Sequence, residues 1–460
     1  MHVSPLIILR KSSTFGVALA AFVLFTSTAQ LSGQSAPLGN RADTVSLSID
    51  VVQRLAIEGN PALLGVRQET AIADGALQQA RLFRTNPELV LQSAGATNNA
   101  RGQLELTATQ EVEWAGQRRL RANAATAGLS RATFSVRDAG RVTVADASRA
   151  YFRAFAAQRR LAVAQEARTL VERLLAAVQI QMREGEISTL EANLAEIEEG
   201  RARAKVLSAQ RVATNAELEL KLTLGLAAGV PVKLVGESTV LRSTQFDGTT
   251  VDSLVALSIA RRTDLAASAE AVREAEVMQA LSRREALPNV RLGVVAIGNG
   301  GNASMQFGPA IGLTLPFFNR QQGLVSQRRA RLDQALFEQR ATLLRVRTDV
   351  VSAERAFRAA SAEAQVYETS VVQRAHENSA LLETAYNAGK IGLSNFLLLR
   401  NQLLDAELGY WDAWLEQREA LVRLEAATGV LTPSAAELPP VKPTGTQPMD
   451  ATTPSSRIQP

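Results

Sequence analysis

Leu324 to Ala388 reads LVSQRRARLDQALFEQRATLLRVRTDVVSAERAFRAASAEAQVYETSVVQRAHENSALLETAYNA, without a glycine or a proline. Those two residues interrupt helices most readily, so the stretch is written to run as one rod. At 1.5 Å per residue, about 65 residues of α-helix extend roughly 100 Å. A globular domain needs far less, so the length itself serves a purpose. Leu336, Leu343, Val350, Phe357, Ala364 and Val371 form a heptad row, with Val346, Ala353, Ala360 and Tyr367 three places on. Alanine on such a seam lets helices approach closely. A long coiled coil of any function would carry this pattern, so it reports architecture and nothing narrower.

Around the rod lies a fixed order of elements that occurs twice, about 200 residues apart. The first repeat spans residues 30–236, with helices over 48–84, strands over 87–97 and 102–115, a long helix over 117–184 and a return helix over 188–225. The second spans 237–430, with helices over 250–286, strands over 288–298 and 304–316, a long helix over 320–388 and a return helix over 392–428. Both rods stop at a glycine, in Gly185-Glu186-Ile187-Ser188 and in Gly389-Lys390-Ile391-Gly392-Leu393-Ser394, where glycine suits a C-terminal cap and Ser188 or Ser394 can open the return helix.

The strands alternate. Leu104, Leu106, Ala108, Val112 and Trp114 point one way, and Gln103, Glu105, Thr107, Thr109, Glu111 and Glu113 the other. In the second repeat Phe307, Ile311, Leu313 and Leu315 alternate with Gln306, Gly308, Ala310, Gly312 and Thr314. The hairpin tips are polar, at Asn98-Asn99-Ala100-Arg101 and Gly298-Asn299-Gly300-Gly301-Asn302. One apolar and one polar face suit a membrane barrel and equally a soluble sheet packed on one side. The neighbouring helices are too long to fold back over the apolar faces, which favours the barrel. Four strands cannot close one, since about eight is the practical minimum, so the barrel reading requires several copies of the chain.

The N-terminus reads as a secretory signal over residues 1–29: Arg10 and Lys11, an apolar run from Phe15 to Phe25, and Ser27-Thr28-Ala29 as a small-residue cleavage site. An uncleaved anchor or an ordinary first helix is the alternative. No cysteine is present, which excludes disulfides, thiolate metal sites and an N-terminal lipid anchor. The net charge of +5 is too small a surplus to indicate nucleic acid. Seven prolines from Pro433 to Pro460 predict a disordered tail over 431–460.

Three local patterns then point to a family. Gln110-Glu111-Val112-Glu113-Trp114-Ala115-Gly116-Gln117-Arg118 and Leu315-Pro316-Phe317-Phe318-Asn319-Arg320-Gln321-Gln322-Gly323 resemble the strand-to-helix junctions of TolC-like outer-membrane efflux channels, and the turns at Gly185 and Gly389 look like that family's periplasmic tips. The chain is most similar to the branch that serves heavy-metal RND pumps, the CzcC type, over roughly residues 45–430. The resemblance implies a mainly α protein with a transmembrane β-barrel. Three chains would contribute four strands each to a twelve-stranded barrel, above an α-helical periplasmic barrel. It implies a homotrimer in the outer membrane whose tips meet a periplasmic adaptor, which grips an inner-membrane RND pump. The adaptor-docking residues would be Gly185, Glu186, Ile187, Ser188, Gly389, Lys390, Ile391, Gly392, Leu393 and Ser394. Asn395 and Leu398, with Arg400 nearby, fall where the family often places acidic residues that narrow the passage, and none of the three is a carboxylate.

No phosphate loop, His-Glu-x-x-His motif or nucleophile set indicates an enzyme, and two histidines and five methionines leave no soft metal site or cofactor. Arg118-Arg119-Leu120-Arg121 and Arg328-Arg329-Ala330-Arg331 open the rods beside Trp114, Phe317 and Phe318. They suit either anionic groups at the inner membrane face or a solvated first turn. Glu105, Glu111 and Glu113 suit cation attraction or plain solvation. The expected function is the passive exit duct of a tripartite RND-type efflux system, with heavy-metal cations as one candidate substrate. A drug-efflux or type I secretion duct, or a secreted soluble coiled-coil scaffold without a pore, are the alternatives.

Overall fold

A computed structural model describes residues 44–94, 103–235, 246, 248–299, 305–434 and 438. The signal segment, the first hairpin tip, most of the second, and most of the proline-rich tail lie outside these residues.

Each repeat opens with a bent helix pair. In the first, α1 (Ile49–Gly59) is capped by Ser48, whose side chain accepts from the Val51 amide. Asn60 then caps α2 (Pro61–Arg81) by accepting from Leu63 N at 2.9 Å, with Pro61 at the first helical position, where no amide is missed. The helix ends at Arg81, not near Arg84, because Leu82 is already extended on the approach to Pro87. In the second repeat α5 (Val251–Arg261) and α6 (Thr263–Glu285) repeat the bend, with Thr250 as the first cap.

One element escaped the sequence. β1 (Val45–Leu47) pairs in parallel with β4 (Val232–Leu234), Leu47 opposite Leu234. Both strands are three residues long, too short for an alternation to register, and the segment around Pro231 reads as loop. The pair lies against an aromatic cluster in which Phe152 and Phe155 meet Trp411 and Trp414, with Tyr151 stacked on Phe155. The Tyr151 hydroxyl donates to Val235 O at 2.7 Å, which satisfies a buried polar tip.

β2 (Glu88–Ala94), β3 (Gln103–Val112), β5 (Val290–Asn299) and β6 (Met305–Leu313) form one antiparallel sheet in the order β2-β3-β5-β6. The second hairpin tip is shifted along the chain from where its sequence suggests, since β5 runs on to Asn299 and Gly298 pairs with Met305. The register aligns Leu91, Leu106, Ala296 and Phe307 across all four strands, and Ala108, Val294 and Pro309 beside them. This face is open: Leu91 is 64% exposed, Val294 53%, Phe307 73% and Ile311 75%. The opposite face carries Glu88, Gln92, Glu105, Thr107, Thr109, Glu111, Arg291 and Gln306. Among the described residues β2 and β6 have no outer partners, so both edges are unpaired. The sheet of one chain is open, not a barrel.

The first rod is α3 (Gln117–Glu184), 68 residues without a break, returning through α4 (Thr189–Thr223). The second differs from the continuous helix expected over 320–388. It starts at Gln322, because Gln321 takes a left-handed φ of 59°, and it consists of α7 (Gln322–Val366), a π-helical turn (Tyr367–Val372) and α8 (Gln373–Asn387), returning through α9 (Leu393–Ala427). A π turn holds about one extra residue per turn and shifts the phase of the helix beyond it. Val346, Val350, Ala353, Phe357, Ala360 and Ala364 are buried, as the heptad row requires. Below the turn the inward positions are Val372, Ala375, Ser379, Leu382 and Tyr386, one residue later than the row predicts, and Leu381 is 66% exposed. Nothing in local propensity marks that step.

The first residues of the segment predicted to be disordered are packed against the helices. Leu431 is buried with Val144, Ala145 and Val422, and Pro433 lies against Gly140 of α3. Among the described residues no helix is long and apolar enough to cross a membrane.

Candidate functional site: tips and strand-helix junctions

The expected site residues fall in two places, two helical tips and two junctions between sheet and rod. Both tips are built alike. Gly185 N donates to Met182 O at 3.1 Å and Glu186 N to Gln181 O at 2.9 Å; Gly389 N donates to Tyr386 O and Lys390 N to Ala385 O, both at 2.9 Å. This paired closure requires a left-handed residue, and Gly185 and Gly389 have φ of 78° and 70°. The return helices start differently. Ser188 forms a capping box with Glu191, whereas Ser394 lies inside α9 and does not cap it; Gly392 holds the cap position without a side-chain bond. Glu186, Lys390 and Ser394 are exposed, and Leu393 is buried.

Behind the tips, Leu174, Val178, Ala192, Ala195, Leu382 and Phe396 form one core cluster, so the turns of the two repeats share an apolar base. Phe396 is 2% exposed and its ring lies 4.8 Å from that of Tyr386. Phe396→Ala is expected to destabilise this base by about 3 kcal/mol or more, read as faster proteolysis at both turns than in the rods' upper halves.

Asn395 and Leu398 are both exposed, Leu398 at 59%, and neither supplies charge. Arg400 is instead buried between α9 and α3, donating to Ala167 O at 2.5 Å. Burial lowers its pKa and Glu198 partly restores it. Arg400 therefore ties the return helix α9 to the first rod, α3. The signal that could have shown it is spacing: Arg400 falls on the same helical stripe as the buried Leu393, Phe396, Leu397 and Leu404.

The first junction is laced to the second repeat. Trp114 is exposed, and its indole N–H donates to Pro288 O at 2.8 Å. Gly116 has a φ of 79° and starts α3. Gln117, 2% exposed, donates to Asn289 Oδ1 at 3.1 Å and to Arg284 O at 3.4 Å. Arg118 donates to Arg81 O at 2.6 Å and lies over the Phe83 ring at 4.7 Å. The three glutamates are not alike. Glu113 takes both nitrogens of Arg121, at 2.7 and 2.9 Å, and Glu111 accepts from Asn289 at 2.5 Å opposite Arg291. Plain solvation is thus corrected for Glu113, whose side chain is 6% exposed. At the second junction Pro316 is half-buried, Phe317 is 69% and Phe318 95% exposed, and Asn319 and Arg320 are exposed. Asn319 Oδ1 accepts from Gln321 N at 3.0 Å, which holds the left-handed bend before α7.

An open sheet set on paired rods with glycine-closed tips is an architecture that known proteins share. No curated protein matches the chain. A membrane protein from Pseudomonas aeruginosa has a TM-score of 0.72 at 21% identity, covering 84% of this chain and 91% of its own. The CmeC outer membrane channel of Campylobacter jejuni has 0.67 at 16%, covering 83% and 85%. The outer membrane protein VceC of Vibrio cholerae has 0.66 at 17%, covering 83% and 96%. Residues 254–430 match the family described as outer membrane efflux protein, and over 83–84% of its length the chain has the fold that these three proteins share.

Proposed function

We propose that the chain is the outer-membrane exit duct of a tripartite RND-type efflux system. The observation that carries this reading is the open four-stranded sheet with one exposed apolar face and two unpaired edges, fastened to a rod of about 100 Å. An apolar face of that extent needs a non-aqueous neighbour, and unpaired edges need strands from other copies. Three copies satisfy both demands by closing a twelve-stranded barrel in the bilayer, with the rods forming a helical cylinder beneath it. Substrate passes without chemical change. The resemblance to the heavy-metal branch supports metal cations as the cargo, carried without chelation by this subunit.

In the same reading the turns at Gly185–Ser188 and Gly389–Ser394 dock a periplasmic adaptor, and Trp114, Phe317 and Phe318 form the interfacial girdle. Asn395 and Leu398 line the narrowest passage. Lys390→Glu combined with Gly389→Trp is expected to abolish efflux while heat-sensitive trimers remain in the membrane fraction. Normal export by that variant would remove the docking assignment. Fractionation tests the duct itself: it requires detergent for extraction and conducts in planar bilayers, whereas a pore-free scaffold stays in the aqueous fraction.

A further inference from the structure

Immediately beside the sheet, the helices of both repeats begin and end in arginine. Arg283 and Arg284 close α6, Arg119 falls in the first turn of α3, Arg320 precedes α7, and Arg329 and Arg331 follow in its third turn. The acids of these segments are already taken, Glu113 by Arg121 at 2.7 Å and Glu285 by Arg84 at 3.6 Å. Arg119, Arg283, Arg320, Arg329 and Arg331 are exposed, and among the described residues none forms an ion pair. Asp333 is the next carboxylate along α7. Positive charge is therefore concentrated in one collar, although the whole chain carries only +5.

Arg119 and Arg320 lie within five residues of the exposed Trp114, Phe317 and Phe318 at the margin of the apolar sheet face, and the end of α6 is joined to the start of α3 where Gln117 donates to Arg284 O. Arg331 stands nine residues into α7, about 14 Å along the axis. A long guanidinium arm shortens that distance, and a headgroup layer is roughly 5–8 Å deep on each side of the hydrocarbon. Cations at that depth, beside an aromatic rim, are placed to meet phosphate.

We propose that this arginine collar binds the headgroups of anionic phospholipids in the leaflet facing the rods. The proposal rests on the membrane reading above. It explains why these arginines, unlike Arg121 and Arg84, carry no protein counterion: lipid phosphates supply it.

The test uses the full chain, inserted into vesicles of phosphatidylethanolamine with a minority of phosphatidylglycerol, then extracted and assayed for co-purifying lipid. Phosphatidylglycerol is expected to be enriched several-fold over its bilayer fraction, and the enrichment to fall with added salt. Arg119→Gln, Arg320→Gln, Arg329→Gln and Arg331→Gln together should abolish it, and the same four positions changed to Lys should retain most of it. Inorganic phosphate at matched ionic strength should displace no more lipid than chloride; specific displacement would assign the collar to a free anion. Equal lipid ratios in the wild type and the Gln variant would overturn the proposal, as would loss in the Lys variant with its trimer intact. Should the Gln variant not assemble, the same ratio in Arg331→Gln alone decides, with an unchanged value counting against. Failure of the wild type to insert would instead overturn the membrane reading itself.

Discussion

Gly225→Ala is expected to destabilise the upper half of the first repeat strongly. Gly225 follows α4 with a φ of 69°, and a Cβ built on it would stand 2.1 Å from Gly59 O and 2.9 Å from Gly59 C. The pressure is mutual, since a Cβ on Gly59 would meet Leu224 O at 2.7 Å. Two backbones cross here, and Asn60 Nδ2 seals the crossing by donating to Thr223 O at 2.8 Å. Neither partner is a flexible side chain that could swing aside. A left-handed alanine costs about 1 kcal/mol and overpacking a further 1–3, so the loss should be roughly 2–4 kcal/mol. The second repeat supplies the control. Gly429 holds the equivalent place with a φ of 76°, but its nearest neighbour is Arg261 Cβ at 3.1 Å. Gly429→Ala is expected to cost only about 1–2 kcal/mol. Thermal unfolding followed by helical circular dichroism should rank the two variants in that order; equal losses would show that the two backbones do not press on each other.

Arg262→Met is the second large effect. Arg262 is 6% exposed, donating to Asp264 at 3.0 and 2.6 Å and to Asp349 at 2.9 Å. Removing the cation leaves Asp264, mostly buried, without its counterion. Breaking one partner of a buried pair costs about 3–5 kcal/mol, and the part-exposed Asp349 reduces that to roughly 2–3. The pH dependence follows from the carboxyl. Burial pushes the Asp264 pKa up, but the hydrogen bond and charge of Arg262, with Arg141 beyond, bring it below its usual value. A carboxyl depressed in the folded state contributes its stability above the unfolded pKa, near 4, and loses it as pH falls through the folded value. The wild type should therefore lose stability below about pH 4 faster than Arg262→Met, measured as the difference in melting temperature between pH 6 and pH 3. Parallel pH profiles would show that the pair contributes nothing.

The sequence alone determined the elements whose signal is local and long. A glycine-free, proline-free stretch can only be a rod, a glycine past its last periodic residue closes it, and alternating strand residues separate an apolar from a polar face. The two copies repeat those signals, so each supports the other. The tertiary structure decided what depends on partners distant in the chain. Three-residue strands exist only because β1 and β4 find each other across nearly 190 residues. The step below Tyr367 comes from a backbone turn that no propensity encodes. Arg400 differs from a solvated arginine only because α3 lies over it, and Glu113 from a free carboxylate only because Arg121 reaches back to it. Periodicity sets which residues share a face, whereas the energy of a buried charge depends on what that face is packed against.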